Sequence, residues 1–378
     1  MKKNIWILLL LLSISINVQS QILDTLVDVG GYKLHFNIKK GKGTPILFEH
    51  GGTFKGSPWN NTLDLIHKIT GATLITYDWS GFGKSELNPN ESEDDEFGII
   101  NGMEELETAL NKLGYDEDII LVGHAFGALY AMIYAARNPE KTKYMVLLNG
   151  HLRDYWTDER LQGPPPDKTK VKLGQYYMAV NFRNSLEILK KSKIPASVPI
   201  IDIIAPIYFM TDQDFNDWKV AHRKFVDESP NRQGIIAYGS EHYIFKDSEV
   251  LFLNAVTKAY AESLKGEQKI EVLSRGINMT MERVNVDKKN QMEFLNSEKN
   301  LEKIGKAFFK NGELNKALEV LKLNTILYPE SWKVFDTYGK ALLEAQRKTD
   351  ALEMYVKSIE LNPDHEAGKK ILEEIKQN

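Results

Sequence analysis

Ile119-Ile120-Leu121-Val122-Gly123-His124-Ala125-Phe126-Gly127-Ala128-Leu129-Tyr130-Ala131-Met132 is the stretch whose reading decides the fold. The first four residues form a short apolar run of the kind that makes a buried strand. Ala128 to Ala136 is a helix-forming run. Between them, Gly123 and Gly127 give the glycine frame of a G-x-S-x-G elbow, a sharp turn that stands its central side chain above a sheet. The central residue here is Ala125. A methyl group cannot attack a carbonyl, so the turn is present and the nucleophile is absent.

Strands and helices alternate on both sides of that turn, from Ile22 to about Leu264. Leu34–Ile38, Pro45–Glu49, Ala72–Tyr77, Lys143–Asn149, Pro199–Ala205 and Gly234–Ala237 read as strands. Met103, Leu106, Ala109, Leu110 and Leu113 recur at helical spacing and predict a helix over 101–113. Such alternation implies an α/β domain with a mainly parallel, doubly wound sheet covered on both faces. It breaks at about 150–197, where Pro164-Pro165-Pro166 and the aromatics Tyr155, Trp156, Tyr176, Tyr177 and Phe182 predict a helical cap over the sheet's C-terminal edge.

Lys2 and Lys3 precede an apolar run from Ile5 to Ile16, followed by Val18-Gln19-Ser20. That order is a signal peptide, with cleavage expected near Ser20. The run is shorter than the roughly 20 apolar residues that span a bilayer, so no stable membrane span is expected after cleavage. The expected location is secreted or periplasmic, in a bacterium. The sequence has no cysteine, which excludes thiol catalysis and Cys-based zinc sites. A net charge of -4 without a basic stripe gives no reason to expect nucleic acid. No metal and no cofactor is expected: His35, His67, His151, His222 and His365 show no ligand spacing and read as structural or exposed. His124 reads equally as pocket-lining or as packed beneath the turn. The acidic run Glu93–Glu96 reads as a solvated loop, and Gly83-Lys84-Ser85 as a chance echo of a phosphate loop.

Residues 265–297 are polar and poorly periodic, and read as a linker or connecting helix. Beyond them, 298–331 and 332–365 align at a period of 34 residues. Gly305 matches Gly339, Ala317 matches Ala351, Leu321 matches Tyr355, Asn324 matches Ser358 and Pro329 matches Pro363. This all-α stretch resembles two tetratricopeptide repeats, with 366–378 as a capping helix. The resemblance implies a surface for a protein or peptide partner.

Four motifs in order make residues 31–264 resemble the α/β-hydrolase family. His50-Gly51-Gly52 resembles its oxyanion loop and Asp78-Trp79-Ser80-Gly81-Phe82-Gly83-Lys84-Ser85 its D-x-x-G-x-G-x-S turn. Gly123–Gly127 is the elbow, and Gly239-Ser240-Glu241-His242 resembles the segment with the catalytic histidine. The resemblance implies that position 125 is the nucleophile position and His242 the base. It also implies that Phe126 N–H, with the loop at Gly51 and Gly52, forms the oxyanion hole. The acid position is open: Asn149, Asp154, Asp212 and Asp214 are candidates, with Asp202 inside a strand. Asn149 could orient an imidazole, but a neutral amide cannot stabilise imidazolium as a carboxylate does.

The expected ligand is a small acyl ester or amide. As written, the scaffold is an inactive or trap form of a serine hydrolase. The alternative is a natural pseudoenzyme that binds a ligand or partner through its pocket and repeats. Water activated by His242 is a third reading, weakened by the loss of a positioned nucleophile.

Overall fold

In a computed structural model of the chain, residues 22–52, 58–90, 98–207, 210–237, 240–283, 298–310, 312 and 314–377 are described. The expected signal peptide, the acidic run Glu93–Glu96, Gly239 and residues 284–297 of the expected linker lie outside them.

The elements follow the chain as β1 (Ile22–Asp28), β2 (Lys33–Lys39), β3 (Ile46–Glu49), α1 (Asn60–Thr70), β4 (Leu74–Tyr77), α2 (Ile99–Leu113), β5 (Ile119–His124), α3 (Phe126–Arg137) and β6 (Thr142–Leu148). Then come α4 (Leu173–Val180), α5 (Phe182–Lys191), β7 (Ile200–Ile204), α6 (Asp212–Asp227), β8 (Arg232–Ile236), α7 (Ile244–Asp247) and α8 (Glu249–Glu262). The strand β1 is absent from the sequence reading. It lies at the sheet edge with Ile22 and Leu26 exposed, so burial imposes little pattern on it.

Eight strands form one sheet in the order β1-β2-β4-β3-β5-β6-β7-β8. β2 runs antiparallel to both its neighbours, and every other pair is parallel. Every residue of β5 is buried. Ile119 and Leu121 join the core beneath α2 and α3, while Ile120 and Val122 join the core beneath α1 and α8. Burial on both faces is why the run is continuously apolar instead of alternating. The winding reverses between β3 and β5, so the connections leaving these two strands diverge. A crevice opens at such a switch point, beyond the strands' C-terminal ends.

The D-x-x-G-x-G-x-S turn serves as a clamp. Asp78 Oδ2 accepts from the Lys84 main-chain N–H at 2.9 Å and faces His35 Nδ1 at 2.9 Å, and Ser85 Oγ donates to the Asp78 carbonyl at 2.5 Å. A Cβ at Gly83 would fall 2.0 Å from the Asp78 carboxylate. A second polar pair lies deep between β7 and α6, where His222 Nδ1 meets Asp202 Oδ2 at 2.6 Å. Its partners are 3% and 2% exposed.

Residues 266–283 of the expected linker form the helix α9 (Gly266–Arg283), which packs on α8 and α1. α10 (Glu298–Lys310) and α11 (Leu314–Leu327) are followed by α12 (Trp332–Glu344), α13 (Lys348–Leu361) and α14 (Glu366–Gln377). The second helix pair repeats the first at an offset of 34 residues, and so do its contacts. Asn324 Nδ2 donates to the Glu298 carbonyl at 3.0 Å, and Ser358 Oγ donates to that of Trp332 at 3.0 Å. The missing Cβ of Gly305 makes room for Leu321, and that of Gly339 for Tyr355. Val250 of α8 and Ile277 of α9 share one apolar cluster with Leu301 and Phe308, so the helical region is docked on the sheet domain. No described helix is long and apolar enough to cross a membrane.

Candidate functional site

The crevice brings together the loop after β3 and the turn after β5. Ala125 has φ 52° and ψ -114°, a strained conformation for a residue with a side chain. It is held by its N–H donating to the Leu148 carbonyl at 2.9 Å and its carbonyl accepting from the Ala128 N–H at 3.1 Å. Both glycines of the frame are steric necessities. A Cβ at Gly123 would sit 2.7 Å from Ala128 Cα, and one at Gly127 would sit 2.3 Å from the Glu49 carbonyl. That closeness presses α3 against the end of β3. A Cβ built on Gly51 would lie 3.5 Å from Ala125 Cβ, and one built on Gly52 would lie 3.9 Å from Phe126 Cβ. Gly51, Gly52, Ala125 and Phe126 are therefore neighbours. The Phe126 N–H opens the first turn of α3, where main-chain donors lack intrahelical partners and the helix dipole is positive.

His242 lies in the connection after β8. Its ring is 4.6 Å from that of His124, the residue before Ala125. Two side chains fix its main chain: His124 Nε2 donates to the His242 carbonyl at 3.0 Å, and Asn149 Nδ2 donates to it at 3.3 Å. Burial holds the His242 pKa below its usual 6.5, so the ring is neutral and basic at neutral pH. Its Nδ1 is buried with no hydrogen-bond partner among the described residues. His124 itself is fully buried, which places it beneath the turn as packing and not on the pocket wall.

None of the acid candidates hydrogen-bonds that Nδ1 among the described residues. Asn149, with φ 47°, accepts from the Ala205 N–H at 2.8 Å through Oδ1. Its amide ties the ends of β6 and β7 to the main chain of His242, and leaves the ring alone. Asp154 is paired with Lys224 at 2.5 Å. Asp214 caps α6 through Thr211 and meets Arg160 at 3.2 Å. Asp212 is the exposed first residue of α6. Acidic residues there complement the helix N-terminus. Asp202 is taken by His222.

Three residues carry more than the sequence reading assigned. Glu49, the last residue of β3, is fully buried and accepts from Tyr77 Oη at 3.0 Å and from Trp79 Nε1 at 2.9 Å. Burial without a cation pushes its carboxyl pKa up to about 8. An acidic residue closing an apolar strand directly before His-Gly-Gly was the available signal. His50 stacks on Trp79 at 4.1 Å, and its Nδ1 lies 2.9 Å from the Gly51 carbonyl, bracing the loop. His151, read above as structural or exposed, is half-buried among Trp156, Phe182 and Trp218.

Glu49 makes stability depend on pH. The folded state keeps the carboxyl protonated at neutral pH while the unfolded chain ionises it, so folding takes up a proton. Stability should therefore fall as pH rises from 4.5 to about 8, and level off beyond. The slope from this group is at most about 1.4 kcal/mol per pH unit. Urea unfolding across that range should show it, and Glu49→Gln should remove it. An unchanged slope in the variant would assign the pH dependence to other groups.

Residues 44–194 match a family model described as alpha/beta hydrolase fold. The cis-3-alkyl-4-alkyloxetan-2-one decarboxylase of Shewanella oneidensis is 35% identical over 119 residues, 32% of this chain and 36% of that protein. The proline iminopeptidase of Saccharolobus solfataricus is 27% identical over 191 residues, 44% of this chain and 60% of that protein. The chain thus spans between about a third and three fifths of the length of these relatives. A solved structure of a 2-hydroxy-6-oxo-6-phenylhexa-2,4-dienoate hydrolase from Rhodococcus sp. strain RHA1 superposes with a TM-score of 0.50. It is 13% identical and covers 64% of this chain and 99% of its own. With the strand order, these matches identify the sheet domain as having the α/β-hydrolase fold.

Proposed function

We propose that this chain is an exported α/β-hydrolase-fold protein that holds an acyl ester or amide in its crevice without cleaving it. Its C-terminal helices, of tetratricopeptide type, would present the surface for a protein or peptide partner. The observation that carries the reading is a double one at the triad. Position 125 carries a methyl group, and the Nδ1 of His242 has no carboxylate beside it among the described residues. A natural ligand-binding protein is favoured because the defect extends beyond a single residue. The neighbouring main-chain donors and the neutral His242 still suit a carbonyl ligand. The names of the relatives, an oxetan-2-one decarboxylase and an iminopeptidase, support a carbonyl in an ester or amide setting.

The second reading is a serine hydrolase whose nucleophile was replaced, leaving a trap for substrate. The strained backbone at Ala125 favours it, since that geometry serves an exposed nucleophile. The unmodified full chain decides whether turnover exists at all. It should take up phenyl acetate in equilibrium dialysis and stay unlabelled by a fluorophosphonate. Phenol release should not exceed about 10³–10⁴ times the rate in water, the residue that main-chain donors and binding alone leave. Fluorophosphonate labelling, or faster release, would overturn the non-cleaving reading.

A further inference from the structure

His151 has one ring nitrogen fixed and the other open. Trp156 Nε1 lies 3.1 Å from His151 Nδ1. An indole N–H can only donate, so Nδ1 must be the acceptor. Burial, with the imidazoles of His242 and His222 nearby, pushes the His151 pKa down to about 3, so the ring is neutral at physiological pH. A neutral imidazole with an accepting Nδ1 carries its proton on Nε2. That Nε2 has no hydrogen-bond partner among the described residues, and it is not fully occluded in this half-buried residue.

The surroundings say what could meet it. The rings of Trp156, Phe182 and Trp218 stand nearly edge-on to His151, at 5.4, 5.2 and 6.2 Å between centroids. Phe182 also touches Phe126, at 5.8 Å, and so joins this aromatic cage to the turn that carries Ala125. We propose that His151 is a specificity-determining donor: its Nε2–H binds a neutral oxygen acceptor, such as a ketone carbonyl separate from the ester or amide group held at Ala125, on a flat apolar ligand seated between α5 and Ala125. The inference rests on the crevice being a ligand site, as argued above. Flatness follows from the half-buried rings of Trp156 and Phe182 beside His151, Trp218 being wholly buried. Neutrality follows from an uncharged donor, which would leave a buried carboxylate uncompensated.

A pair of near-isosteric esters tests it on the unmodified chain, with tryptophan fluorescence as the readout. Phenyl 4-acetylbenzoate carries the acceptor, and phenyl 4-isopropylbenzoate has the same outline without it. The acetyl ester should bind about tenfold tighter, the worth of one buried hydrogen bond. His151→Phe should bring the two affinities together. His151→Gln keeps an N–H and should retain most of the preference. Equal affinities in the unmodified chain, a preference that survives in His151→Phe, or no binding of either ester would each overturn the proposal. If the Phe variant does not fold, nitrogen NMR of the unmodified chain decides: a proton on Nδ1 of His151 overturns the proposal, and one on Nε2 supports it. Phenol release from either ester would count against the non-cleaving reading alone, since an acetyl preference can persist with or without turnover.

Discussion

Ala125→Ser is expected to become labelled by a fluorophosphonate and to hydrolyse phenyl acetate about 10²-fold faster than the unmodified chain. The magnitude follows from how triads fail. Removing a whole triad costs about 2 × 10⁶ in rate and removing the acid alone about 3 × 10⁴, so a serine–histidine pair without its acid keeps roughly 10². The main chain at 125 already has the elbow conformation, so the new hydroxyl is presented without rearrangement. His242 is neutral at working pH because burial lowers its pKa, and the rate should decline only at a pH below 6.5. Steady-state kinetics and labelling measure both effects. A gain near 10⁶ would show that a carboxylate does reach His242, and the natural binding-protein reading would give way to the replaced-serine one. A variant that folds yet resists the probe would remove position 125 from the nucleophile role altogether.

Asp202→Ala should be the most damaging single change to stability, at about 3–5 kcal/mol. The carboxylate is 2% exposed and its hydrogen bond to His222 is 2.6 Å long. His222 packs at 4.5 Å against Trp218, which is wholly buried, and its Nε2 has no hydrogen-bond partner among the described residues. Deleting the aspartate strands a second polar atom in the same place and leaves a void in the middle of β7. For a domain of this size the loss corresponds to a midpoint lowered by roughly 10 °C. Replacing both residues, as in Asp202→Leu with His222→Leu, should recover most of it, because two matched apolar groups need no partner. Thermal and urea unfolding would show this. A single-variant loss below about 1 kcal/mol would mean that water reaches the pair and supports it.

The elements that decide the fold were legible because each has a local physical cause. Gly123 and Gly127 are needed by contacts within the same turn, and β5 is apolar because both its faces are covered. The 34-residue repeat was legible because the same close contact recurs at Gly305 and Gly339. What stayed hidden depends on groups distant in sequence. Nothing near Asn149 announces that its amide will hold His242, 93 residues away. Asp202 looked like an acid candidate until the fold handed it to His222. His151 gave no sign of its role, because Phe182 and Trp218 reach it only through the packing of α5 and α6. The β1 edge was missed for the opposite reason: too little burial to leave a pattern.

The backbone at residue 125 keeps its shape although an alanine gains nothing from it. The bond to the Leu148 carbonyl, the helix start and the two glycine contacts hold the turn without help from the side chain. Folding and chemistry are thereby decoupled at this position. The molecule is an empty socket, into which serine, cysteine or aspartate can be plugged one after another, and their reactivities compared on a chassis that stays the same.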